Sequence, residues 1–312
     1  MNLQQIQEHF LTMFDSVGIV STKDYLESCK LHQKSVPNVE YPTLVVVGLH
    51  YPKRIIPSTN TYLLPSFYTF GSDYHLVLRK RMSEVMSKIP YDYIALVDNH
   101  PHDERIAASL SGIGFFGKNQ LIIHPRYGSY QFLGMLFINI PFTQPLRSIN
   151  TDSCGDCHIC IDACPPKALS EQGYNVDRCI SNFNQSKQVL SDSQIKQNHL
   201  LFGCDICQLV CPKNPKVSLH VHPEFNLSGK EQVAIEDLFT LSAREFERTY
   251  SNMAYLWKGK TILMRNALTL LLRQKNVSYN TMIETSLQQD YPLWYKKTAT
   301  SILSLLQEIA NQ

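Results

Sequence analysis

The sequence predicts an α+β chain, and three observations carry that prediction. Short β-branched runs alternate with helical stretches over roughly the first 145 residues, the pattern of an α+β or α/β domain. Between about 150 and 215 the apolar periodicity fades while cysteines crowd together, as expected where a metal core replaces a hydrophobic one. From about residue 232 onward the pattern is purely helical.

The elements follow in order. Residues 1–35 read as helical, with Phe10, Leu11, Phe14 and Val17 at helical spacing. TLVVVGLHY (43–51), after Pro42, is a short β-branched run that predicts a buried strand. HLVLRKRMSEVMSKI (75–89) predicts a helix, YIALVD (93–98) a second apolar strand, and 103–112 a helix ending at Gly112. QLIIHPRYGSYQFLGMLFINI (120–140) reads as two strands joined by a turn at Pro125–Gly128. In the tail, KTILMRNALTLLLRQ and WYKKTATSILSLLQEI carry Leu, Ile and Ala at steps of three and four.

Composition sets bounds on function. The 312 residues are 44% hydrophobic and 18% charged, a globular balance. A net charge of +2 permits an acidic partner such as RNA without demanding one. No apolar run approaches the ~20 residues of a membrane span, and MNLQQIQEHFLTMF lacks the layout of a signal peptide. The expectation is a cytoplasmic chain with no membrane partner, whose cysteines serve as metal ligands or thiols rather than disulfides.

Eight of the nine cysteines fall between Cys154 and Cys211. Cys154, Cys157, Cys160 and Cys164 form C-x-x-C-x-x-C-x-x-x-C followed by Pro165, the bacterial ferredoxin run. Cys204, Cys207 and Cys211 form a second group closed by Pro212, and Cys179 stands between. Short gaps let one turn of backbone wrap three corners of a cubane, while the cysteine before proline reaches the other cluster. The rule assigns Cys154, Cys157, Cys160 and Cys211 to one 4Fe–4S cluster, and Cys164, Cys179, Cys204 and Cys207 to the other. Zinc is the competing use of C-x-x-C pairs, but zinc sites rarely show three cysteines at two-residue gaps closed by C-P, let alone twice. Cys29 reads as a plain buried or half-buried thiol. No G-x-G-x-x-G follows either strand, and GFFGK (114–118) only echoes a P-loop, so nucleotide-cofactor sites have no support.

VDNHP (97–101), GIGFFGKNQLII (112–123), GSYQFLGML (128–136), CGDCHICIDACPPKAL (154–169), RCISNFNQSK (178–187) and GCDICQLVCPKN (203–214) stand in a characteristic order. Together they resemble the epoxyqueuosine reductases, cobalamin-dependent iron–sulfur enzymes that finish queuosine synthesis in tRNA. The resemblance runs through about 1–215, and the tail is similar to the HEAT-like repeat domain many members carry. It implies a cobalamin-binding α/β domain over 1–148, a ferredoxin-like two-cluster domain over 149–225 and an α-helical domain over 226–312. It also implies reductive removal of the epoxide oxygen at the wobble position of tRNAs for Asp, Asn, His and Tyr, with an external electron donor; a monomer is expected.

The family's acid maps onto Asp98, at the carboxyl end of the second strand, where ligands of α/β sheets gather. To protonate the departing oxygen it must itself be protonated at working pH, so burial should raise its pKa above about 3.9. The plain alternative for an aspartate there is a helix N-cap. His100 and His102 alone read as solvated loop histidines, and Asp103 stands where a cobalt-ligating D-x-H-x-x-G motif needs glycine. Corrin contacts of the family match Ile122, Leu133, Ser181 and Asp205, each otherwise a core or turn residue, and Lys118 is a candidate for a corrin amide or an RNA phosphate. For RNA, the basic candidates are Lys258, Lys260, Arg265, Arg273 and Lys275, with Trp257 and Tyr255 to stack, and Lys187 as a second site. The rivals are a reductive dehalogenase-like cobalamin enzyme and an electron-transfer ferredoxin module.

Overall fold

The computed structural model describes residues 1–142, 154–214 and 222–312, so the expected boundary at 148–149 lies outside the described residues. The elements are α1 (Leu3–Leu11), β1 (Ser16–Ser21), α2 (Thr22–Leu31), β2 (Thr43–His50), β3 (Tyr62–Leu63), α3 (Tyr74–Met86), β4 (Tyr93–Leu96), α4 (Glu104–Leu110), β5 (Phe115–Phe116), β6 (Ile122–Ile123) and β7 (Gln131–Ile138). After these come α5 (Ile159–Ala163), β8 (Leu169–Ser170), β9 (Gly173–Tyr174), α6 (Ile180–Phe183), α7 (Asp192–Gln197) and α8 (Ile206–Leu209). The last are β10 (Val233–Ala234), α9 (Ile235–Thr240), α10 (Ala243–Thr249), α11 (Lys260–Gln274), α12 (Asn280–Leu287) and α13 (Leu293–Ala310). Two compact units result: Met1–Lys53, Tyr74–Cys160 and Cys207–Phe225 form one, and Arg54–Asp73, Ile161–Ile206 and Asn226–Gln312 the other.

The first unit is built on a four-stranded sheet in the order β1-β2-β7-β4, each neighbouring pair antiparallel. β2 is central, and all eight of its residues are buried, which is why TLVVVGLH is apolar without alternation. β4 is an edge strand with Tyr93 and Ile94 exposed. The helical reading of 1–35 is corrected at its middle: SVGIVS is β1, with alternate residues buried. The periodicity of α1 and α2 on either side masks its β-branched alternation. The hairpin reading of 120–140 is also corrected. The turn exists, with backbone bonds in both directions between His124 and Gly128, yet β6 pairs with β5 while β7 pairs with β2 and β4. β7 spends both edges on longer partners, so β6 has no edge of it left to join.

The second unit packs α9 to α13 with apolar residues of the cysteine segment, including Ile180, Phe183, Leu190 and Phe202, in one core. β3 and β10 pair as a short antiparallel ribbon within it. Arg265 on α11 is fully buried and donates to the carbonyls of Phe183, Asn184, Ser186 and Gln188 and to Asn266 Oδ1. Asn266 donates to the Asn184 and Leu201 carbonyls, and Asn184 in turn meets Asn198 and both backbone groups of Gly203. This network ties the segments after Cys179 and before Cys204 to one helix. Replacing Arg265 with Met removes the side-chain donor to the part-buried Ser186 and Gln188 carbonyls, while Asn184 O keeps Asn266 and Phe183 O keeps Ser186. Each carbonyl left unsatisfied costs about 1–3 kcal/mol. Arg265→Met is therefore expected to lower the urea midpoint strongly, by about 3 kcal/mol of stability with an unchanged m-value. No helix among the described residues is long and apolar enough to cross a membrane.

Candidate functional site

Cys154, Cys157, Cys160 and Cys211 come together in the first unit, lining one cavity with Lys118, Asn119, Ile123, Pro212 and Lys213. The backbone explains the convergence. Cys157 N donates to Cys154 O, which closes a tight turn, and Cys160 is the second residue of the short α5. Cys211 comes from a separate stretch of chain, packed with Phe115, Ile123 and Cys154 in a small apolar cluster. The Cys160 thiol is pushed up to about 11, first by burial and then by the neighbouring Cys211, Cys154 and Cys157. Cys211 is raised as well, again chiefly by burial. Thiols that resist ionisation, as Cys160 and Cys211 do, are suited to a cationic iron core that compensates the charge of its ligands together. Among the described residues no group of three His, Cys, Asp or Glu side chains is placed to hold a single metal ion.

Cys164, Cys179 and Cys204 lie in the second unit and Cys207 in the first. Cys164 Sγ accepts from Ala168 N at 3.3 Å, and Cys204 Sγ lies 3.9 Å from His199 Nε2. Such contacts to sulfur are the kind that ligand thiolates take. Gly203, just before Cys204, has φ of 75°, and a Cβ there would come within 2.7 Å of Ser66 Cβ. Cys29 is fully buried, and burial raises its thiol pKa.

Asp98 follows β4 in a loop whose backbone is left-handed at Asp98 and Asn99, with φ of 43° and 49°. The sheet is antiparallel, so the strand-end rule for parallel sheets does not account for its position; the loop geometry does. Nor is it the N-cap of α4, a role Asp103 fills by accepting from Arg105 N and Ile106 N. The expected rise in its pKa is corrected: the carboxyl is held down at about 2. Hydrogen bonding from His75 is the largest cause of the shift; burial opposes it, and Asn99 N and the Tyr74 hydroxyl add to it. His75 Nε2 lies 3.2 Å and Tyr74 Oη 3.0 Å from Asp98 Oδ2. About half of the Asp98 side chain remains exposed, against a tenth of His75.

Tyr74 and His75 were missed from sequence, where they open a helix and look like surface residues of its first turn. The only available signal was two adjacent aromatic polar side chains at a helix start, which is weak. Tyr74 also stacks on Phe132 of β7 at 4.2 Å, which fixes its hydroxyl. The loop histidines are not solvated as expected. His100 donates to Glu104 at 3.1 Å with its side chain largely covered, and His102 Nδ1 is sealed from water among Tyr25 and Phe137.

The remaining candidates are dispersed. Leu133 is half-buried on β7, whereas the Ile122 side chain is a core residue. Asp205 is buried, with its carboxylate taken by Ser66 Oγ and Phe67 N, and burial lifts it to about 6. Ser181 accepts from Gln185 at 3.2 Å and lines an open cleft in the second unit. Lys118 lines the thiol cavity. Of the basic RNA candidates, Arg265 and Lys260 are buried and spend their donors on carbonyls, and Tyr255 is buried and donates to Lys230 O. Helix α11 is enclosed almost all round, so the expectation that Lys260 and Arg265 meet RNA phosphates is corrected. Arg273, Lys275, Lys187 and Trp257 are exposed.

Comparison with known proteins bears on this arrangement. Residues 153–214 match the 4Fe-4S double cluster binding domain family. The epoxyqueuosine reductase of Bacillus subtilis (strain 168) is 33% identical over 89% of this chain and 82% of its own length. The chain belongs to the epoxyqueuosine reductase family. A solved B. subtilis epoxyqueuosine reductase, with its catalytic aspartate loop swung out of the active site, matches at TM-score 0.83 and 28% identity over 97% of this chain and 90% of that one. An epoxyqueuosine reductase solved with an epoxyqueuosine-modified tRNA-Tyr stem loop matches at TM-score 0.79 and 27% identity over 97% and 98%. Membership in this family sets aside the dehalogenase-like reading and that of a bare ferredoxin module.

Proposed function

We propose that this chain reduces epoxyqueuosine at the wobble position of tRNA to queuosine, in the isoacceptors for Asp, Asn, His and Tyr. The reaction takes up two electrons and two protons, opens the epoxide, and gives the alkene and water. What carries the reading is a cavity ringed by four thiols and a half-exposed aspartate on a strained loop, both in a chain of this family. Cys154, Cys157, Cys160 and Cys211 hold one 4Fe–4S cluster, and Cys164, Cys179, Cys204 and Cys207 the other. An external donor supplies single electrons. We read residues 1–148 as the corrin-binding part, 149–225 as the cluster part and 226–312 as a HEAT-like tail, in a monomeric cytoplasmic protein.

Cobalamin, when bound, supplies a low-valent cobalt centre able to place electrons on a strained C–O bond. The first unit offers it half-buried Leu133, packed in one apolar cluster with Ile122, Met135 and Phe137, a surface that suits the apolar face of a corrin. Asp98 serves as the proton donor. Ile122, Ser181 and Asp205 contribute through backbone and packing, because their side chains are already engaged. Asp98 is ionised in the conformation described, with His75 and Tyr74 donating to it. Substrate closing over the half-exposed carboxyl removes water, favours the neutral acid and lets it take up the proton it passes on.

The RNA lies against the cleft bordered by Tyr174, Ser181, Asn182, Gln185, Trp257 and Lys258. Trp257 is 45% exposed with Lys258 Nζ 3.5 Å above its ring, a flat platform beside a cation. Stacking on such a ring is worth about 1–3 kcal/mol per base, so Trp257→Ala is expected to weaken stem-loop binding about 5- to 100-fold. Unchanged affinity in a titration would remove this surface from the substrate path. The function as a whole is tested with reconstituted protein, a strong reductant and an epoxyqueuosine-bearing anticodon stem loop. Queuosine should form, and failure to take up cobalamin would sink the reading.

A further inference from the structure

The GKN loop between β5 and β6 carries a feature that neither the fold nor the proton chemistry uses. Asn119 is 6% exposed. Its Oδ1 accepts from Leu121 N at 3.2 Å, while its Nδ2 is sealed from water and has no hydrogen-bond partner in the protein. A buried amide donor left unpaired costs about 1–3 kcal/mol, so native proteins rarely keep one without a use. Asn119 borders the same cavity as the thiols of Cys154, Cys157, Cys160 and Cys211, with Lys118 and Lys213 beside it.

The loop holds this amide in a set place. Gly117 N donates to Leu121 O and Gln120 N to Gly117 O, both at 2.8 Å, and Gln120 takes a φ of 65°. A Cβ on Gly117 would come within 2.5 Å of Asn119 Oδ1 and 2.6 Å of Ile123 Cδ1. Glycine is therefore required for the loop to close against the asparagine. The amide group is oriented by its own turn and does not depend on a ligand to place it.

We propose that Asn119 Nδ2 hydrogen-bonds to a sulfur of the cluster held by Cys154, Cys157, Cys160 and Cys211, and so sets the reduction potential of that cluster. The inference rests on the ligand set given above. A reduced cluster carries one more negative charge than an oxidised one, so a fixed N–H dipole stabilises the reduced form more. Lys118 and Lys213 act in the same direction by their charge. Asn119 thus makes this cluster easier to reduce than it would be without the amide, as suits the point where electrons from a donor enter.

The test is a redox titration of the reconstituted full chain, followed by the spectra of both clusters. Asn119→Asp keeps the acceptor for Leu121 N but replaces the donor with an anion; Asn119→Leu keeps the branched outline and removes the donor together with that acceptor. With full iron content, one midpoint should move to more negative potential in both variants, further in Asn119→Asp, while the other stays. Unchanged midpoints in both variants, an equal shift of both clusters, or loss of iron from both variants would overturn the proposal. Cys211→Ala, run alongside, should abolish the signal that moves. If both signals survive in Cys211→Ala, the ligand set is wrong, and the Asn119 shift still reports whether the amide touches a cluster.

Discussion

Cys211→Ala is expected to carry one cluster instead of two, with about half the iron of the parent protein, and to lose turnover entirely. The four thiols around the cavity come from two stretches of chain, and Cys211 is the one supplied by the second. It is 7% exposed and packed against Phe115, Ile123 and Cys154, so no water is at hand to replace it as a ligand. Structural metal sites contribute their binding energy to folding, so the variant should also unfold at lower temperature than the parent when both are fully reconstituted. Cys211→Ser, which keeps a weaker oxygen ligand, should fall between the two. Iron and sulfide content with the cluster spectrum checks the assignment. A variant holding two intact clusters would show that Cys211 is not a ligand.

Asp98→Asn should keep both clusters and cobalamin yet lose about 10²–10⁴ of the turnover rate, the usual contribution of a general acid. Asparagine preserves shape and an acceptor oxygen but has no proton to give. Full activity in single-turnover assays would remove Asp98 as the donor. The pH behaviour follows from its depressed pKa of about 2, which His75 does most to produce. A carboxyl lowered on folding adds stability above its unfolded value of about 3.9 and loses it as pH falls toward 2. The group is half exposed, so solvent screening keeps that contribution small. His75→Phe removes the largest lowering cause, so the Asp98 pKa should rise and the alkaline limb of the activity profile move to higher pH. A profile unchanged by that substitution would mean that the His75–Asp98 contact is lost when substrate binds.

The cysteine spacing was legible because chelation by a cubane is a local demand: short gaps and a following proline are visible in one dimension, and the double-cluster family match over 153–214 agrees with them. The buried central strand was legible for the same kind of reason, since burial on both faces writes an unbroken apolar run into 43–50. Strand β1 was not, because six residues of alternation lie between two helices whose periodicity extends over them. Pairing was beyond reach as well: which edge of β7 is free depends on β2 and β4, far away in sequence.

The same division runs through the site. The sequence by itself determined the double-cluster segment and the family, that of the epoxyqueuosine reductases, and it pointed to eight cysteines as the ligands and to Asp98 as the residue to test. Only the tertiary structure decided the protonation of Asp98, because Tyr74 and His75 reach it from a helix more than twenty residues earlier. Only the tertiary structure turned Arg265 from a presumed phosphate contact into a buried clamp, and left Asn119 with an unused donor beside the thiols. Residue types announce which chemistry they can perform; burial and the partners brought by distant segments set the charge, the direction and the availability of each group.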